Sequence, residues 1–218
     1  MELMLTVIAV LQAYAIGSIS FAVIFSNAFA KKDVRNFGSG NAGATNVMRA
    51  FGVLPGVLTF LCDAAKGFVA CMVGKLIFTY LSAHYSATLF VPVYGALLCG
   101  VFCMLGHVFP VFFGFKGGKA VAVAVGIFYV SNWQAISLAL GIFLIVLLIS
   151  KIVSVASLSA TVALFVSMLV FRPAGNVFVI ASLTFIMCAT VFLKHTENIK
   201  RLLKGQEKAI FKTTKKEH

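Results

Sequence analysis

Between Asn36 and Arg49 the chain reads NFGSGNAGATNVMR, a run of residue types suited to holding a phosphate. Gly38, Gly40, Gly43 and, just beyond, Gly52 can take positive φ and let backbone N–H groups approach a ligand closely. Successive N–H groups in such turns form anion-binding concavities. Ser39, Asn41, Thr45 and Asn46 add hydroxyl and amide partners, and Arg49 adds a planar, permanently charged fork that matches phosphate. Long apolar runs flank the segment, so it lies where water meets membrane. That placement suits a substrate with a phosphate head and an apolar tail.

Two further polar segments have the same character. Gly106-His107-Val108-Phe109-Pro110 continues through Phe115-Lys116-Gly117-Gly118-Lys119. Lysine-Gly-Gly-lysine can wrap a phosphate with backbone donors and two ammonium groups. It lacks the G-x-x-x-x-G-K-[ST] spacing of a P-loop, and a flexible basic loop would read much the same. The third segment runs from Lys194 to Glu207. His195, Asn198 and Arg201, three residues apart, share a helical face. An amphipathic helix binding anionic headgroups is the competing account. His195, with an ordinary pKa near 6.5, is a candidate general base.

Charge also occurs inside the apolar runs. Asp63 and Lys66 lie one helical turn apart, and intramembrane charges usually face a partner or a polar cavity. Their spacing suits an ion pair beneath the site. Ser154 and Ser157 follow Lys151 and can donate to a ligand or serve as small packing residues. His107 can contact a ligand or cap its own loop. The five cysteines, all within apolar runs, show no metal-binding spacing and read as packing residues. No metal and no cofactor is expected.

These groups must be positioned by membrane helices. Of 218 residues, 61% are hydrophobic and 11% charged, against about 25% charged in soluble domains. The expected fold is therefore an all-α integral membrane protein, one polytopic domain over residues 1–218. A net charge of +12 resides in loops, which favours membrane orientation and anionic lipid over nucleic acid. The start lacks the basic region of a cleavable signal peptide, so the first apolar run is expected to be retained. Spans of about 20 apolar residues fit Leu3 to Phe29, about Val53 to Tyr80, Leu89 to Leu105, Ile152 to Phe171 and Ala174 to Leu193. A polar break at residues 82–86 separates the second and third. Ala120 to Ser150 is too long for one untilted span, and Ser131-Asn132-Trp133 can divide it. The first half is then a short span beginning inside the preceding loop. With that division the chain has seven transmembrane helices, and 15 of the 18 basic residues fall on one side. The positive-inside tendency then puts the N-terminus outside, the C-terminus in the cytoplasm and Trp133 at the outer interface.

Laid side by side, the three segments resemble the acyl-phosphate-dependent glycerol-3-phosphate acyltransferases of bacteria, the PlsY family. The family pattern GSGNPGATNxxR is similar to Gly38–Arg49, GHxFPVFxxFKGGKGVA to Gly106–Ala122, and basic-HxxNIxRLxxGxE to Lys194–Glu207. Tyr14, Gly17, Ser18 and the stretch Asp63–Gly67 also resemble family stretches. Ala42 stands where the family usually has proline, and Ala120 where it usually has glycine. The resemblance implies a multi-pass protein of the bacterial cytoplasmic (inner) membrane. It implies transfer of a fatty acyl group from acyl phosphate to the 1-hydroxyl of glycerol 3-phosphate, releasing lysophosphatidic acid and inorganic phosphate. An upstream enzyme that forms acyl phosphate is an implied partner, alongside membrane lipids. Cytoplasmic loops 31–50, 106–120 and 194–210 are expected to carry the site. Within it Ser39, His195 and Asn198 take catalytic places. Gly38, Gly40, Asn41, Thr45, Asn46, Arg49, His107, Lys116, Gly117, Gly118, Lys119, Ser154 and Ser157 take substrate-binding places. Asp63, Lys66 and Glu207 take structural ones. The leaving phosphate itself can accept the hydroxyl proton, since no buried histidine–carboxylate base is apparent. A transporter would instead place polar groups at the bilayer midplane, and a lipid-binding scaffold would not need three such segments in register.

Overall fold

The computed structural model describes residues 1–85 and 88–210. Ser86, within the expected break, and Lys212, Lys215 and Lys216 of the basic tail lie outside the described residues. In chain order the α-helices are α1 (Glu2–Gly17), α2 (Phe21–Ala30), α3 (Ala44–Phe51), α4 (Val53–His84), α5 (Pro92–Val108), α6 (Val121–Ser131), α7 (Trp133–Ser150), α8 (Val153–Val170), α9 (Val177–Lys194) and α10 (Thr196–Leu203). Six helical stretches among the described residues are long and apolar enough to cross a membrane: Glu2–Ala30, Val53–His84, Pro92–Phe113, Trp133–Ser150, Val153–Val170 and Val177–Lys194. Helix α6 has 11 residues, a length of roughly 16 Å against the ~30 Å of a hydrocarbon core.

The first apolar run, expected as one span, is two helices. The chain leaves helical geometry at Ser18–Ser20 and resumes at Phe21. Non-helical backbone at membrane depth persists only where the protein itself satisfies it. Lys66 Nζ donates to the Ile19 carbonyl at 2.7 Å, and Ser18 Oγ accepts from Val111 N at 3.4 Å. Tyr14 Oη donates to the Phe109 carbonyl at 2.8 Å, tying α1 to the end of α5.

Helix α4 packs against α1, α3, α5 and α6. Its crossings are backbone against backbone. A Cβ added at Gly74 would lie 2.3 Å from the Gly95 carbonyl oxygen, and one at Gly126 would lie 1.9 Å from the Ala64 carbonyl oxygen. Small residues at such crossings let helices approach closely in lipid. The run from 120 to 150 is divided at Asn132. Its Oδ1 accepts from Ala135 N at 3.2 Å and caps α7, while its Nδ2 donates to the Phe171 carbonyl at 2.7 Å. Helix α6 starts at Val121, just past the basic loop rather than inside it. The residue before it, Ala120, holds φ of 62°, which breaks helical geometry at that point. Leu144, Ile145, Leu148 and Ile149 of α7 are exposed, as suits a helix bordering lipid. All five cysteines are free thiols, four of them buried.

Candidate active site

The first polar segment is shaped from within by Asn46, which is buried. Its Nδ2 donates to the carbonyls of Val34 (3.2 Å), Phe37 (2.9 Å) and Asn41 (3.1 Å), and its Oδ1 accepts from Ser39 N at 3.2 Å. One amide side chain thus closes the loop around Gly38 and Gly40, whose φ values of 60° and 71° are left-handed and favour glycine. A Cβ at Gly38 would lie 2.3 Å from Asn46 Oδ1. Ser39 is exposed at the loop's tip and Thr45 is half-buried in the first turn of α3. Arg35 anchors the loop's base. It forms an ion pair with Asp33 at 2.7 Å and donates from Nη1 to the Phe113 carbonyl at 2.6 Å. The hydrogen bond from Arg35 holds the Asp33 carboxyl below its ordinary pKa.

The second segment rests on charge buried in α4. Lys66 Nζ lies 2.8 Å from Asp63 Oδ1 and 2.9 Å from His107 Nδ1; His107 Nδ1 is 3.6 Å from the same carboxylate oxygen. Lysine can only donate, so His107 Nδ1 accepts and its N–H is on Nε2. Gly118 packs directly on that ring edge. A Cβ at Gly118 would lie 2.2 Å from His107 Nε2 and 2.6 Å from the Ala42 carbonyl oxygen. Gly118 N donates to the His107 carbonyl at 3.1 Å. A Cβ at Gly117 would lie 1.9 Å from that same oxygen. The two glycines therefore let the loop close over His107 and touch the first segment at Ala42. Lys116 is exposed and Lys119 half-buried.

Lys119 reaches the third segment, where its Nζ donates to Asn198 Oδ1. Asn198 Nδ2 donates to Glu207 Oε1 at 2.5 Å, and Ser154 Oγ donates to the same oxygen at 2.9 Å. Arg201 Nε pairs with Glu207 Oε2 at 2.6 Å. Residues 204–210 thus fold back from α10 as a strap whose carboxylate gathers three donors. Arg49 meets the strap too: its Nη2 donates to the carbonyls of Lys208 at 3.2 Å and Ala209 at 3.4 Å. Ile210 N donates to the Lys151 carbonyl at 2.8 Å.

Burial and neighbouring charge set the protonation of this cluster. Burial, with the nearby charges of Arg201, Arg49 and Lys194, pulls Lys119 down to about 8, although Glu207 opposes the shift. Burial and the Lys119 charge pull His195 down to about 4. The imidazole is therefore neutral near pH 7. Its Nδ1 donates to the Val191 carbonyl at 2.8 Å, leaving Nε2 as the acceptor. Burial alone would raise the Glu207 pKa, but hydrogen bonds from Arg201, Asn198 and Ser154 outweigh it and hold the group below its usual value. The result is a set of cations, half-buried except for the exposed Arg49, around one ionised carboxylate.

An apolar crevice begins where this polar cluster ends. Val191, whose carbonyl holds His195, and Ser157, one turn beyond Ser154, line its upper part; Phe128, Ile136, Leu164 and Met187 line its far part. Two polar side chains of its wall, Thr161 and Cys188, bond to backbone. Thr161 Oγ1 donates to the Ser157 carbonyl at 2.7 Å, and Cys188 Sγ to the Thr161 carbonyl at 3.7 Å.

The structure brings the three sequence segments together through Ala42–Gly118 and Lys119–Asn198. It puts Asn46, Gly117 and Gly118 into loop-building contacts, and His107 into the buried Asp63–Lys66 cluster. Asp63 and Lys66 form the expected ion pair. Sequence reasoning passed over Arg35 and the carbonyls that the strap presents to Arg49. Asp33, an acid two residues from Arg35 in a basic loop, was the available signal for the first. No side-chain pattern signals a main-chain carbonyl.

A family model described as glycerol-3-phosphate acyltransferase matches residues 7–205. Glycerol-3-phosphate acyltransferase 2 of Bacillus anthracis is 37% identical over 206 residues, 94% of this chain and 100% of that protein. Glycerol-3-phosphate acyltransferase of Chromobacterium violaceum is 41% identical over 204 residues, 92% of this chain and 93% of that protein. Among solved structures, PlsY (YgiH), an integral membrane glycerol 3-phosphate acyltransferase, matches in its glycerol 3-phosphate form. The TM-score is 0.81 at 34% identity, with 94% of each chain covered. The lysophosphatidic acid form of PlsY matches with a TM-score of 0.78 at 33% identity.

Proposed function

The chain belongs to the glycerol-3-phosphate acyltransferase family, and we propose that it moves a fatty acyl group from acyl phosphate to the 1-hydroxyl of glycerol 3-phosphate. The products are lysophosphatidic acid and inorganic phosphate. The observation that carries this reading is the junction itself. Arg49, Lys119, Asn198 and Glu207 meet in one cluster directly above an apolar crevice. Two phosphate-bearing substrates need cations, and one acyl chain needs an apolar slot. The related structures were solved with glycerol 3-phosphate and with lysophosphatidic acid, which supports the same acceptor here.

In the proposed reaction the 1-hydroxyl oxygen attacks the acyl carbon and forms the new ester bond. The bond from the acyl carbon to the bridging phosphate oxygen breaks, and its electron pair leaves with phosphate. The hydroxyl proton passes to a phosphate oxygen of the donor. Arg49 and Lys119 hold phosphate and offset the charge that develops as it leaves. Ser39, Asn198 and His195 orient the substrates; positioning of this kind supplies much of the rate. A pKa near 4 for His195 suits it to orientation better than to carrying the proton at neutral pH. His107, Asn46, Gly117 and Gly118 act by shaping the loops. Asp63, Lys66 and Glu207 hold the frame, and Lys116, Gly38, Gly40, Asn41, Thr45, Ser154 and Ser157 complete the substrate-binding surface.

The proposed setting is one polytopic domain of the bacterial cytoplasmic membrane. It has seven crossings, an external amino terminus, and loops 31–50, 106–120 and 194–210 facing the cytoplasm. Labelled glycerol 3-phosphate mixed with the purified protein and acyl phosphate tests the reaction. A lipid-extractable labelled product is expected; none, with the protein folded, would contradict the reading.

A further inference from the structure

The apolar crevice runs away from the polar cluster toward Phe128 on α6, Ile136 on α7 and Leu164 on α8, all of them buried. On α7, Phe143 and Leu140 are half-buried, whereas Ala139 and Ile136 are 2% and 4% exposed. On α8, Ala160 is half-buried and Leu164 is 5% exposed. On α6, Val121 and Val125 are half-buried and Phe128 is 1% exposed. Helix α8 advances roughly 10 Å between Ser157 and Leu164 at 1.5 Å per residue, so the crevice has depth. One turn beyond Ile136, Asn132 caps α7 and donates to the Phe171 carbonyl at 2.7 Å. That bond ties the α6–α7 junction to the end of α8, so the floor residues are carried by elements pinned to one another.

We infer that Phe128, Ile136 and Leu164 set the longest acyl chain the enzyme uses efficiently, by meeting the methyl end of the bound chain. The inference rests on the proposed reading of the crevice as the acyl slot. The polar side chains Thr161 and Cys188 are already bonded to backbone within the wall. Beyond Ser157 at the upper part, the wall then discriminates chains by the distance to the floor rather than by hydrogen bonding. Close-packed interiors resist added volume, and a removed side chain leaves space. A methylene gained or lost in a filled hydrophobic site changes kcat/KM roughly 10- to 200-fold.

The test uses the full chain, purified in detergent, with a graded series of straight-chain acyl phosphates at fixed glycerol 3-phosphate. Leu164→Ala deepens the floor and is expected to move the optimum to longer chains, with at least a tenfold change in the ratio of long- to short-chain kcat/KM. Ala139→Phe raises the floor and is expected to move it to shorter chains. Ala160→Trp, at the half-buried mouth, is expected to depress turnover of every chain length. If Leu164→Ala folds and keeps the wild-type length profile while Ala160→Trp blocks all chains, the floor assignment is overturned and the slot stands. If Ala160→Trp turns over all chains like wild type, the slot reading itself fails and the floor assignment with it. Should Ala139→Phe not fold, as judged by gel filtration and thermal unfolding, Leu164→Ala alone decides the floor assignment.

Discussion

Lys119 meets two opposing demands. In the proposed reaction it must be charged to hold phosphate, yet it sits half-buried among Arg49, Arg201 and Lys194, and its pKa falls to about 8. Below that value the ammonium is present and can make the proposed phosphate contact. As pH rises through it the ammonium is lost and so is the contact. We therefore expect an alkaline limb in kcat/KM near pH 8, and its displacement upward in Lys119→Arg, whose guanidinium stays charged. A wild-type limb that does not move in that variant would detach Lys119 from the site. Arg49→Ala should lower kcat/KM by about 10- to 100-fold, the loss of a charge-assisted contact of roughly 1.5–3 kcal/mol. Ala120 is a smaller case. It holds φ of 62° at the position where the family pattern it resembles has glycine, and an L-residue pays about 1–2 kcal/mol for that conformation. The neighbouring Gly117 and Gly118 contacts hold the loop in place despite it.

At the scale of elements, the decisive feature is the interruption between α1 and α2. Lys66 satisfies the Ile19 carbonyl left free there, and Asp63 and His107 surround its ammonium. Lys66→Met would leave Asp63 buried without its partner, a loss of about 3–5 kcal/mol. The joint change Asp63→Leu with Lys66→Met removes both charges and should recover much of that stability. Thermal unfolding in detergent measures the two; equal stability of Lys66→Met and wild type would show that the pair is not structural. The two charges were legible in the sequence, because intramembrane charges at three-residue spacing call for a partner. The interruption was not. Ser18-Ile19-Ser20 is too short and too apolar to dent hydropathy, and its cause lies 47 residues away at Lys66. The division at Asn132 was legible because its own side chain makes the cap. The three polar segments were legible as chemistry, since glycine, amide and cation densities are local. Their mutual contacts were not, because Ala42–Gly118 is a backbone approach that no side-chain pattern records.

For the whole molecule, charge distribution bears on membrane topology. The loops that carry Arg35, Arg49, Lys119 and Arg201 converge on one side of the bundle. In the proposed seven-crossing topology that side faces the cytoplasm, so a reporter fused to the carboxyl terminus should be active only inside. An external carboxyl terminus would contradict the topology. The central claim is that positioned charge, with the donor's own phosphate as proton acceptor, performs the transfer without a basic side chain. His195 is where that claim is most exposed, as a buried neutral imidazole beside Lys119. The direct measurement is kcat of purified His195→Gln and His195→Ala at saturating acyl phosphate and glycerol 3-phosphate, near neutral pH. Glutamine can hydrogen-bond but cannot take up a proton, so the account predicts that His195→Gln keeps substantial activity while His195→Ala loses more. An equal loss of about 10²–10⁴-fold in both, the usual contribution of general acid–base catalysis, would make His195 the base and contradict the account.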